Sequence, residues 1–445
     1  MKTLGPHIVF AGGGTGGHLY PMLAVARLLC ERVEWLRLTF LTTERPIDRR
    51  VIRSVLNDHS GSPIEIIAQS VVPLPASLLS TARFIKRWRE SIRLCRGEFR
   101  RYKPAVVIGS GGYGSAPAIS VARRMGIPTA ILNPDAIPGK ANRYLGSKVG
   151  AIFVQWPVTR RHFRRKAPVR VVGCPVRAEF GGTTRAAGID RFGLDPRKKT
   201  LLITGASQGA RSINDAVVGI LETHGLLSAG FGGGAGWQFL HLTGTADYEQ
   251  VRAGYESRSV AGRVLDYTEH MADALAAADL VVSRAGASTL AEITAVGRAS
   301  VLMPYPHHRD KHQSANAAVL ADAGAAVVVE DRLSASGNAP ALGKVLSQLM
   351  LDNEARSEMS AQASILGTIG AAATIADALL EMAGGDLSGG AEVTRDADTD
   401  AVGPFTPEGR AKNLRPTVGA DGDEPAESQR YRKIGLPADT KVGSM

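Results

Sequence analysis

The sequence feature that most constrains the fold is a glycine-rich stretch at residues 12–21, which reads GGGTGGHLYP. It follows an apolar run, residues 7–11, that predicts a buried strand, and it precedes residues 22–29, whose apolar positions have helical spacing. Glycine lets a ligand approach the backbone closely, and a helix N-terminus attracts negative charge. The pattern therefore predicts a phosphate site, although a single loop of this kind also fits a tight turn with a surface histidine.

Apolar runs recur along the chain with helical stretches between them, which is typical of parallel βαβ units. The first series of predicted strands covers residues 7–11, 38–42, 106–110, 129–132, 152–154 and 169–173. The second covers residues 201–204, 237–242, 263–267, 280–283, 301–303 and 326–329. Two glycines at 181–182 and a polar run to residue 199 separate the series. The sequence thus predicts an α/β fold of two Rossmann-like domains that face a cleft, with ligands at the carboxyl ends of the strands.

Composition limits the surroundings and the partners of the chain. Its three cysteines have no metal-ligand or CxxC spacing, and no run of 18 apolar residues is present, so we expect a protein of a reducing compartment without a membrane span. The formal net charge is +11, and residues 385–445 carry 8 basic and 11 acidic side chains. The rest of the chain is therefore strongly basic, which favours anionic partners. Residues 385–445 have little apolar periodicity and are predicted to be largely disordered.

Two basic stretches indicate where an anionic partner binds. Residues 81–101 contain eight arginines or lysines against two glutamates, and apolar residues including Leu78, Leu79, Ile85, Trp88 and Ile92 can share one helical face. Such a helix is typical of a membrane interface, although a core helix with solvated arginines has the same pattern. Residues 160–170 hold six further basic residues, which could extend the same surface. We do not expect nucleic acid as a partner, because no nucleic-acid module or aromatic stacking pattern accompanies the charge.

Three more glycine-containing segments follow predicted strands, at residues 109–117, 204–211 and 283–292. In the last of these, residues 286–289 can face a diphosphate at a helix start. Glu292 follows within the first turns, where its carboxylate can accept two hydrogen bonds from a ribose diol. Residues 310–316 offer donors and acceptors suited to the hydroxyls of a sugar.

These motifs together resemble the MurG family of UDP-N-acetylglucosamine:undecaprenyl-pyrophosphoryl-muramoyl-pentapeptide N-acetylglucosaminyltransferases. The resemblance covers residues 7–382 in order and with compatible spacing. It is carried by five segments, GGTGGH at 13–18 with Pro21, GGY at 111–113, GCPVR at 173–177, GASQGAR at 205–211 with Asn214, and residues 310–316.

The resemblance implies a glycosyltransferase of the GT-B type. Residues 1–175 would form the acceptor and membrane-facing domain, residues 176–369 the UDP-GlcNAc domain, and residues 370–384 a helix that packs back on the first domain. In the first glycine stretch, Thr15, Gly16 and Gly17 are expected to bind substrate. Family motifs assign the other substrate contacts: Ser207 and Gln208 at the donor, Tyr267 and Thr268 near the uracil, Ala287, Ser288 and Thr289 at the diphosphate, Glu292 on the ribose, His312 and Gln313 on the GlcNAc hydroxyls, and Arg177 at the domain junction.

The sequence departs from the family at a predicted strand end. Where the family commonly has His-Glu-Gln-Asn, this chain has Leu132-Asn133-Pro134-Asp135. We therefore expect His18 to be the base that takes the proton of the attacking hydroxyl, with Asp135 as the second candidate and as an acceptor contact. A structural or diphosphate-binding role for His18 is the alternative.

The expected reaction moves GlcNAc from UDP-GlcNAc to the 4-hydroxyl of a muramoyl sugar on a polyprenyl-pyrophosphate-linked acceptor, with inversion of the anomeric carbon. No metal or other cofactor is expected, since no DxD motif stands at a strand end. We expect a peripheral protein on the cytoplasmic face of the cell membrane, bound to its anionic surface. Two alternatives remain: a related glycosyltransferase with another polyprenyl or glycerolipid acceptor, and a non-catalytic membrane-bound protein that binds nucleotide sugar.

Overall fold

The computed structural model describes residues 6–13, 16–56, 63–72, 78–164, 167–205, 209–223, 236–307 and 311–384. Within them lie two parallel sheets. The strands of the first sheet are β1 His7–Ala11, β2 Arg37–Thr43, β3 Ile64–Gln69, β4 Val106–Gly109, β5 Thr129–Asn133, β6 Ala151–Val154 and β7 Val169–Val171. Those of the second are β8 Lys199–Thr204, β9 Trp237–Leu242, β10 Gly262–Leu265, β11 Leu280–Ser283, β12 Ser300–Leu302 and β13 Ala326–Val328.

Helices cover both faces of each sheet. In the first half they are α1 Gly16–Arg32, α2 Pro46–Leu56, α3 Leu78–Tyr102, α4 Gly112–Arg124 and α5 Lys140–Gly146, followed by a 3-10 helix, Pro157–His162. The second half contains α6 Glu179–Gly182, α7 Arg185–Phe192, α8 Arg211–Thr223, α9 Tyr248–Glu256, α10 Met271–Ala277, α11 Ala287–Val296, α12 His312–Asp322, α13 Ala335–Leu351, α14 Asn353–Leu366 and α15 Ala371–Met382.

The order of the strands confirms the predicted pair of Rossmann-like sheets. The first sheet runs β3-β2-β1-β4-β5-β6-β7 and the second β10-β9-β8-β11-β12-β13, and neighbouring strands are parallel throughout. In each sheet the strand order reverses once, between β1 and β4 and between β8 and β11. A crevice opens at the carboxyl ends of the strands at such a point. All four glycine-containing segments of the sequence follow these four strands.

Apolar residues of the strands and helices form cores on both faces of each sheet. Strand residues such as Phe10, Phe40, Leu202 and Val282 are almost fully buried. The last helix, α15, packs against α1, and its Ile375 and Leu379 belong to a core of the first sheet. The carboxyl-terminal helix thus crosses back from the second half to the first.

The structure contains one strand that the sequence interpretation missed and one helix within the predicted boundary. Edge strand β3 was not predicted, because Glu65 interrupts its apolar run and most of its residues are only half-buried. Glu65 instead pairs with Arg37 of β2 at 2.8 Å. The polar run at 181–199, which separates the two series of strands, contains α7, which is capped by the Thr184 hydroxyl and packs against α10.

One helical stretch of the described chain, Asn353–Met382, is long and apolar enough to cross a membrane by length and composition. It comprises α14 and α15, and many of its apolar side chains lie in the cores, whereas Ile365 and Ile369 are exposed. Met359 and Ala363 pack in the second half, and Ile375 in the first. The apolar character of this stretch is therefore that of two core helices.

Candidate functional site

The cleft-facing loops of the two halves are in direct contact. The hydroxyl of Ser288, in the first turn of α11, donates to the carbonyl of Gly17, in the first turn of α1, at 2.8 Å. The amide of Asn316 on α12 spans the cleft at a second place, donating to Asp135 Oδ1 at 2.9 Å and accepting from the Ala136 N–H at 2.8 Å. The structure thus brings predicted acceptor-side and donor-side residues together.

The first glycine stretch requires glycine at two positions. Gly12 and Gly13 have φ values of 152° and 135°, and a Cβ would meet the Ser110 hydroxyl at the first and the Asp48 carboxylate at the second. The backbone can therefore turn tightly from β1 into α1. In the first turn of that helix, Nδ1 of His18 is buried without a hydrogen-bond partner in the described part of the chain. A buried polar nitrogen without a partner is costly, so the site is suited to a substrate group that supplies one.

Asp135 is held in place by both halves. Its carbonyl accepts hydrogen bonds from the Asn133 side chain at 2.7 Å and from the Thr159 hydroxyl at 3.3 Å. Because Oδ1 already accepts from Asn316, the carboxylate joins the halves and keeps its other oxygen for further contacts. The Asp135 carboxylate is therefore held by a hydrogen bond, whereas His18 Nδ1 has no hydrogen-bond partner in the described part of the chain.

Glu292 lies beside Arg177 and is half-buried. Desolvation by burial raises the pKa of the Glu292 carboxyl to about 7, the Arg177 charge opposes this rise, and Glu179 adds to it. Arg177 pairs with Glu179 at 3.1 Å and donates to the Glu269 carbonyl at 3.3 Å, while its Nε is buried without a described partner. These contacts hold Arg177 beside Glu292, and its role at the domain junction stays a prediction.

Tyr20 is a site residue that the sequence interpretation missed. Burial is the main cause that raises the pKa of Tyr20 to about 12, and the nearby Tyr267 of the other half adds to the rise. The Arg177 guanidinium lies 5.8 Å from the centre of the Tyr20 ring. Tyr267 itself is 48% exposed, and the neighbouring Thr268 hydroxyl accepts from the His270 N–H at 3.0 Å. Nothing in the sequence of the glycine stretch distinguishes Tyr20 from the other residues of the helix, so sequence reasoning could not identify it.

The start of α11 has the features of an anion site. Its N-cap residue is Gly286, which provides no side-chain acceptor for the first N–H groups of the helix. Ala287 is buried, whereas Ser288 and Thr289 are half-buried with hydroxyls beside those N–H groups. Unpaired N–H groups and the helix dipole attract a phosphate.

His312 and Gln313 begin α12 and already make one main-chain contact each. Nδ1 of His312 donates to the Ile137 carbonyl at 2.8 Å, which fixes the orientation of the ring. Oε1 of Gln313 accepts from the Tyr305 N–H at 2.9 Å, which leaves its NH₂ group as a donor. Both side chains are therefore oriented by main-chain contacts at the start of α12, and the Gln313 NH₂ group can donate to a sugar hydroxyl.

Two buried networks hold the donor-side loops, and the sequence interpretation predicted neither. Arg284, directly after β11, donates to Asp331 at 2.6 Å and to the Ser212 hydroxyl at 2.8 Å. Asn214 on α8 donates to Asp247 at 2.8 Å and accepts from His241 at 3.0 Å. The partners come from helices, loops and strands that are far apart in the sequence, so only the folded structure brings them together.

On the acceptor side, several polar atoms are buried without a partner among the described residues. They are Ser110 Oγ, Asn142 Oδ1, Gln155 Oε1 and Trp156 Nε1. All follow β4, β5 or β6, at the same edge of the sheet as the first glycine stretch. A polar substrate at this edge would satisfy them.

Some predicted residues lie outside the described part of the chain, namely Thr15, Ser207 and Gln208. Gly16 is the first residue of α1, and the exposed Gly17 is the second. Among the described residues, no three His, Cys, Asp or Glu side chains are grouped as metal ligands.

Comparison with known proteins matches both halves of the chain to one enzyme family. Residues 8–154 match the glycosyltransferase family 28 N-terminal domain, and residues 200–378 match the corresponding C-terminal domain. A protein of Myxococcus xanthus is 35% identical over 84% of this chain and 92% of its own length. One of Moorella thermoacetica is 36% identical over 84% of this chain and 98% of its own. Both are named UDP-N-acetylglucosamine--N-acetylmuramyl-(pentapeptide) pyrophosphoryl-undecaprenol N-acetylglucosamine transferase.

The fold is also similar to that of solved structures. The crystal structure of MurG from Acinetobacter baumannii is 25% identical, with a TM-score of 0.65, over 85% of this chain and all of that one. A UDP-GlcNAc 2-epimerase from Neisseria meningitidis, bound to UDP-GlcNAc, has a TM-score of 0.59 at 15% identity, which indicates a shared fold.

Proposed function

Because the chain belongs to the MurG family of glycosyltransferases, we propose that it transfers GlcNAc from UDP-GlcNAc to a lipid-linked muramoyl-pentapeptide acceptor. This is the step from lipid I to lipid II in peptidoglycan synthesis. The observation that carries the proposal is the contact between Ser288 and Gly17. It places the anion site of α11 against the helix that carries His18, so a donor diphosphate and an acceptor hydroxyl would meet in one cleft.

In the proposed reaction, the 4-hydroxyl oxygen of the muramoyl sugar attacks the anomeric carbon of GlcNAc, and the bond from that carbon to the diphosphate oxygen breaks. His18 takes the hydroxyl proton, which a positioned base accelerates by about 10²–10⁴-fold. Glu292 binds the ribose hydroxyls, and Tyr267 and Thr268 lie by the uracil. UDP leaves, and the configuration of the sugar inverts.

Negative charge develops on the diphosphate as UDP leaves. The first N–H groups of α11, with the hydroxyls of Ser288 and Thr289, are arranged to stabilise it. We therefore propose that the chemistry needs no bound metal, and expect activity to persist in EDTA.

The acceptor is the least constrained part of the proposal, because the chain departs from the family at Asn133 and Asp135. The Asn133 side chain accepts from Asn142 at 3.0 Å and donates to the Asp135 carbonyl, so it shapes this edge of the sheet. A second candidate is therefore a related transferase with a different polyprenyl or glycerolipid acceptor.

We also propose that α3 holds the protein on an anionic membrane surface. Ile85 is 44% exposed near the start of the helix, and the Phe84 and Trp88 rings stack at 6.0 Å beside it. Arg83, Lys86, Arg89 and Arg93 around them are exposed. Farther along the helix, Ile92 packs against a core of the first half, so it does not join the predicted lipid-facing set.

The experiment that tests the function is product analysis with radiolabelled UDP-GlcNAc and a panel of lipid acceptors. Transfer to the muramoyl-pentapeptide acceptor is expected to exceed transfer to muramoyl-free polyprenyl or glycerolipid acceptors. Preferential transfer to one of the latter would support the second candidate. Binding of UDP-GlcNAc without transfer to any acceptor would contradict both and indicate a nucleotide-sugar-binding protein.

A further inference from the structure

A cavity of about 490 Å³ lies beside the first glycine stretch, outside the site described above. Its walls are the end of β2, the start of α2 and Ala68 of β3. Four arginines line it: Arg45, Arg49, Arg50 and Arg53. A smaller cavity of about 220 Å³ adjoins it and shares Arg49 and Arg53. Two arginines one helical turn apart thus face a continuous concave surface.

The charge of this cavity is unbalanced. Its one lining carboxylate is that of Glu44, which accepts from the Ser70 hydroxyl at 2.7 Å and lies 3.9 Å from Arg87 of α3. Arg49, Arg50 and Arg53 are exposed, and none forms an ion pair within the described part of the chain. Like charges around one concave surface repel each other, and a bound anion relieves that repulsion.

The place of the cavity in the fold indicates which anion it takes. The Thr43 N–H, on its wall, lies beside Gly13 of the first glycine stretch, so the cavity continues the acceptor side of the cleft. Strand β2 flanks β1 on the side away from β4 and β5, whereas the donor half contacts the loops after β1 and β5. The cavity is therefore suited to a part of the acceptor other than the reacting sugar.

We infer that Arg49 and Arg53, with Arg45 and Arg50, form an oxyanion subsite for the lipid-linked acceptor. The inference rests on the proposed function for the identity of that acceptor. A muramoyl-pentapeptide pyrophosphate carries two kinds of oxyanion, the carboxylates of its peptide and its phosphates. Both suit the planar, forked donors of arginine, which bind either group through paired hydrogen bonds.

The test uses the full-length double variant Arg49→Gln/Arg53→Gln and a short-chain, water-soluble acceptor, so that no membrane is present. The acceptor affinity, measured by titration calorimetry, is expected to fall about tenfold, because two cationic contacts to the oxyanion are lost. The affinity for UDP-GlcNAc should stay unchanged. The matched control is Arg123→Gln/Arg124→Gln, which removes the same charge from the last turn of α4 and should bind the acceptor as the wild type does.

Three acceptors distinguish the sources of the oxyanion: one with free peptide carboxylates, one with amidated carboxylates, and one without the peptide. A loss of affinity confined to the first assigns the subsite to the peptide, and an equal loss for all three assigns it to the pyrophosphate. Unchanged affinity for all three would overturn the inference, as would an equal loss in the control variant. Flotation of the double variant with anionic liposomes adds one outcome. If its membrane binding weakens while its acceptor affinity is unchanged, the arginines bind lipid headgroups and the inferred acceptor subsite is wrong. Because binding is measured directly, failure of transfer by the wild type would count against the proposed function and not against the subsite.

Discussion

The charge of the Glu292 carboxylate favours binding of a ribose diol but lowers the stability of the folded protein. The pKa of this carboxyl is raised to about 7 by burial, from an ordinary value of 4.5. The stability that the protonated form contributes is present below pH 4.5 and is lost as the pH rises through 7. Above pH 7 the folded protein therefore holds a desolvated charge that a ribose diol would satisfy.

Glu292→Gln is expected to raise the free energy of unfolding at pH 8 by about 2 kcal/mol, because glutamine has no charge to desolvate. The gain should disappear near pH 4.5. The same variant should bind UDP-GlcNAc about tenfold more weakly, since it loses a hydrogen-bond acceptor with a charge. Urea unfolding at both pH values and calorimetry with UDP-GlcNAc measure the two effects. Equal stability at pH 8 would contradict the burial argument, and an unchanged dissociation constant would contradict the ribose contact.

His18→Ala should lower kcat by about 10²–10⁴-fold and leave the dissociation constant of UDP-GlcNAc within about twofold, because a base acts on the acceptor hydroxyl. Single-turnover kinetics and calorimetry separate the two quantities. Asp135→Asn is the comparison, since it keeps the shape of the Asn316 contact. If kcat survives in His18→Ala but falls in Asp135→Asn, the base is Asp135.

At the level of secondary-structure elements, strand β9 contains a buried histidine, His241, which makes the free energy of unfolding depend on pH. His241 has its pKa lowered to about 3 by burial. Asn214 donates through its nitrogen to Thr243 and Asp247, so its oxygen must accept from His241 Nε2, and Nδ1 then accepts from Tyr255. The network requires the neutral ring.

Stability from the neutral His241 ring is present above pH 6.5 and is lost as the pH falls toward 3. At pH 5 the loss is about 2 kcal/mol relative to pH 7. Glu292 titrates in the same range with the opposite sign, so the quantity to measure is the difference between wild type and His241→Gln. That difference in unfolding free energy should shrink by about 2 kcal/mol from pH 7 to pH 5. A difference independent of pH would show that the folded ring accepts a proton normally.

The first half of helix α3 contains the exposed Ile85, whereas its second half packs in a core through the buried Cys95 and Phe99. The triple variant Phe84→Ser/Ile85→Ser/Trp88→Ser is expected to keep its circular dichroism spectrum and to lose flotation with anionic liposomes. Binding by the wild type should weaken with salt, because each basic residue contributes about 1 kcal/mol only within a Debye length. Leu351→Ser/Ile365→Ser, on exposed residues of the other half, is the control. Full flotation of a folded triple variant would exclude α3 as the anchor.

At the level of elements, the sequence was most informative where apolar runs and glycines coincide. Strand β1, its glycine stretch and α1 could be predicted because local geometry alone requires them. Strand β3 could not, since an edge strand with Glu65 has no continuous apolar run. The Arg284–Asp331 pair joins residues that are far apart in the sequence, so no local pattern predicts it.

At the scale of the whole molecule, the described core ends with α15, whose Ile375 and Leu379 are fully buried against the first half. A chain that ends at Leu387 should therefore have the thermal stability and the transfer activity of the full chain. Truncation after Gly370, which removes α15, should prevent folding, since it exposes a core. The predicted disorder of residues 385–445 lies outside the described residues. Loss of activity in the longer truncation product would show that the removed segment contributes to the enzyme.

The bond from Ser288 to Gly17 has a consequence for how the binding of one substrate affects the binding of the other. The Ser288 hydroxyl donates to the Gly17 carbonyl. A bound diphosphate competes for that hydrogen and so releases the start of α1, which carries the acceptor loop. Linkage makes this reciprocal, so each substrate alters the affinity for the other by the same factor. Ser288→Ala breaks the link, so the dissociation constant of each substrate, measured by calorimetry with and without the other, should become independent of the other.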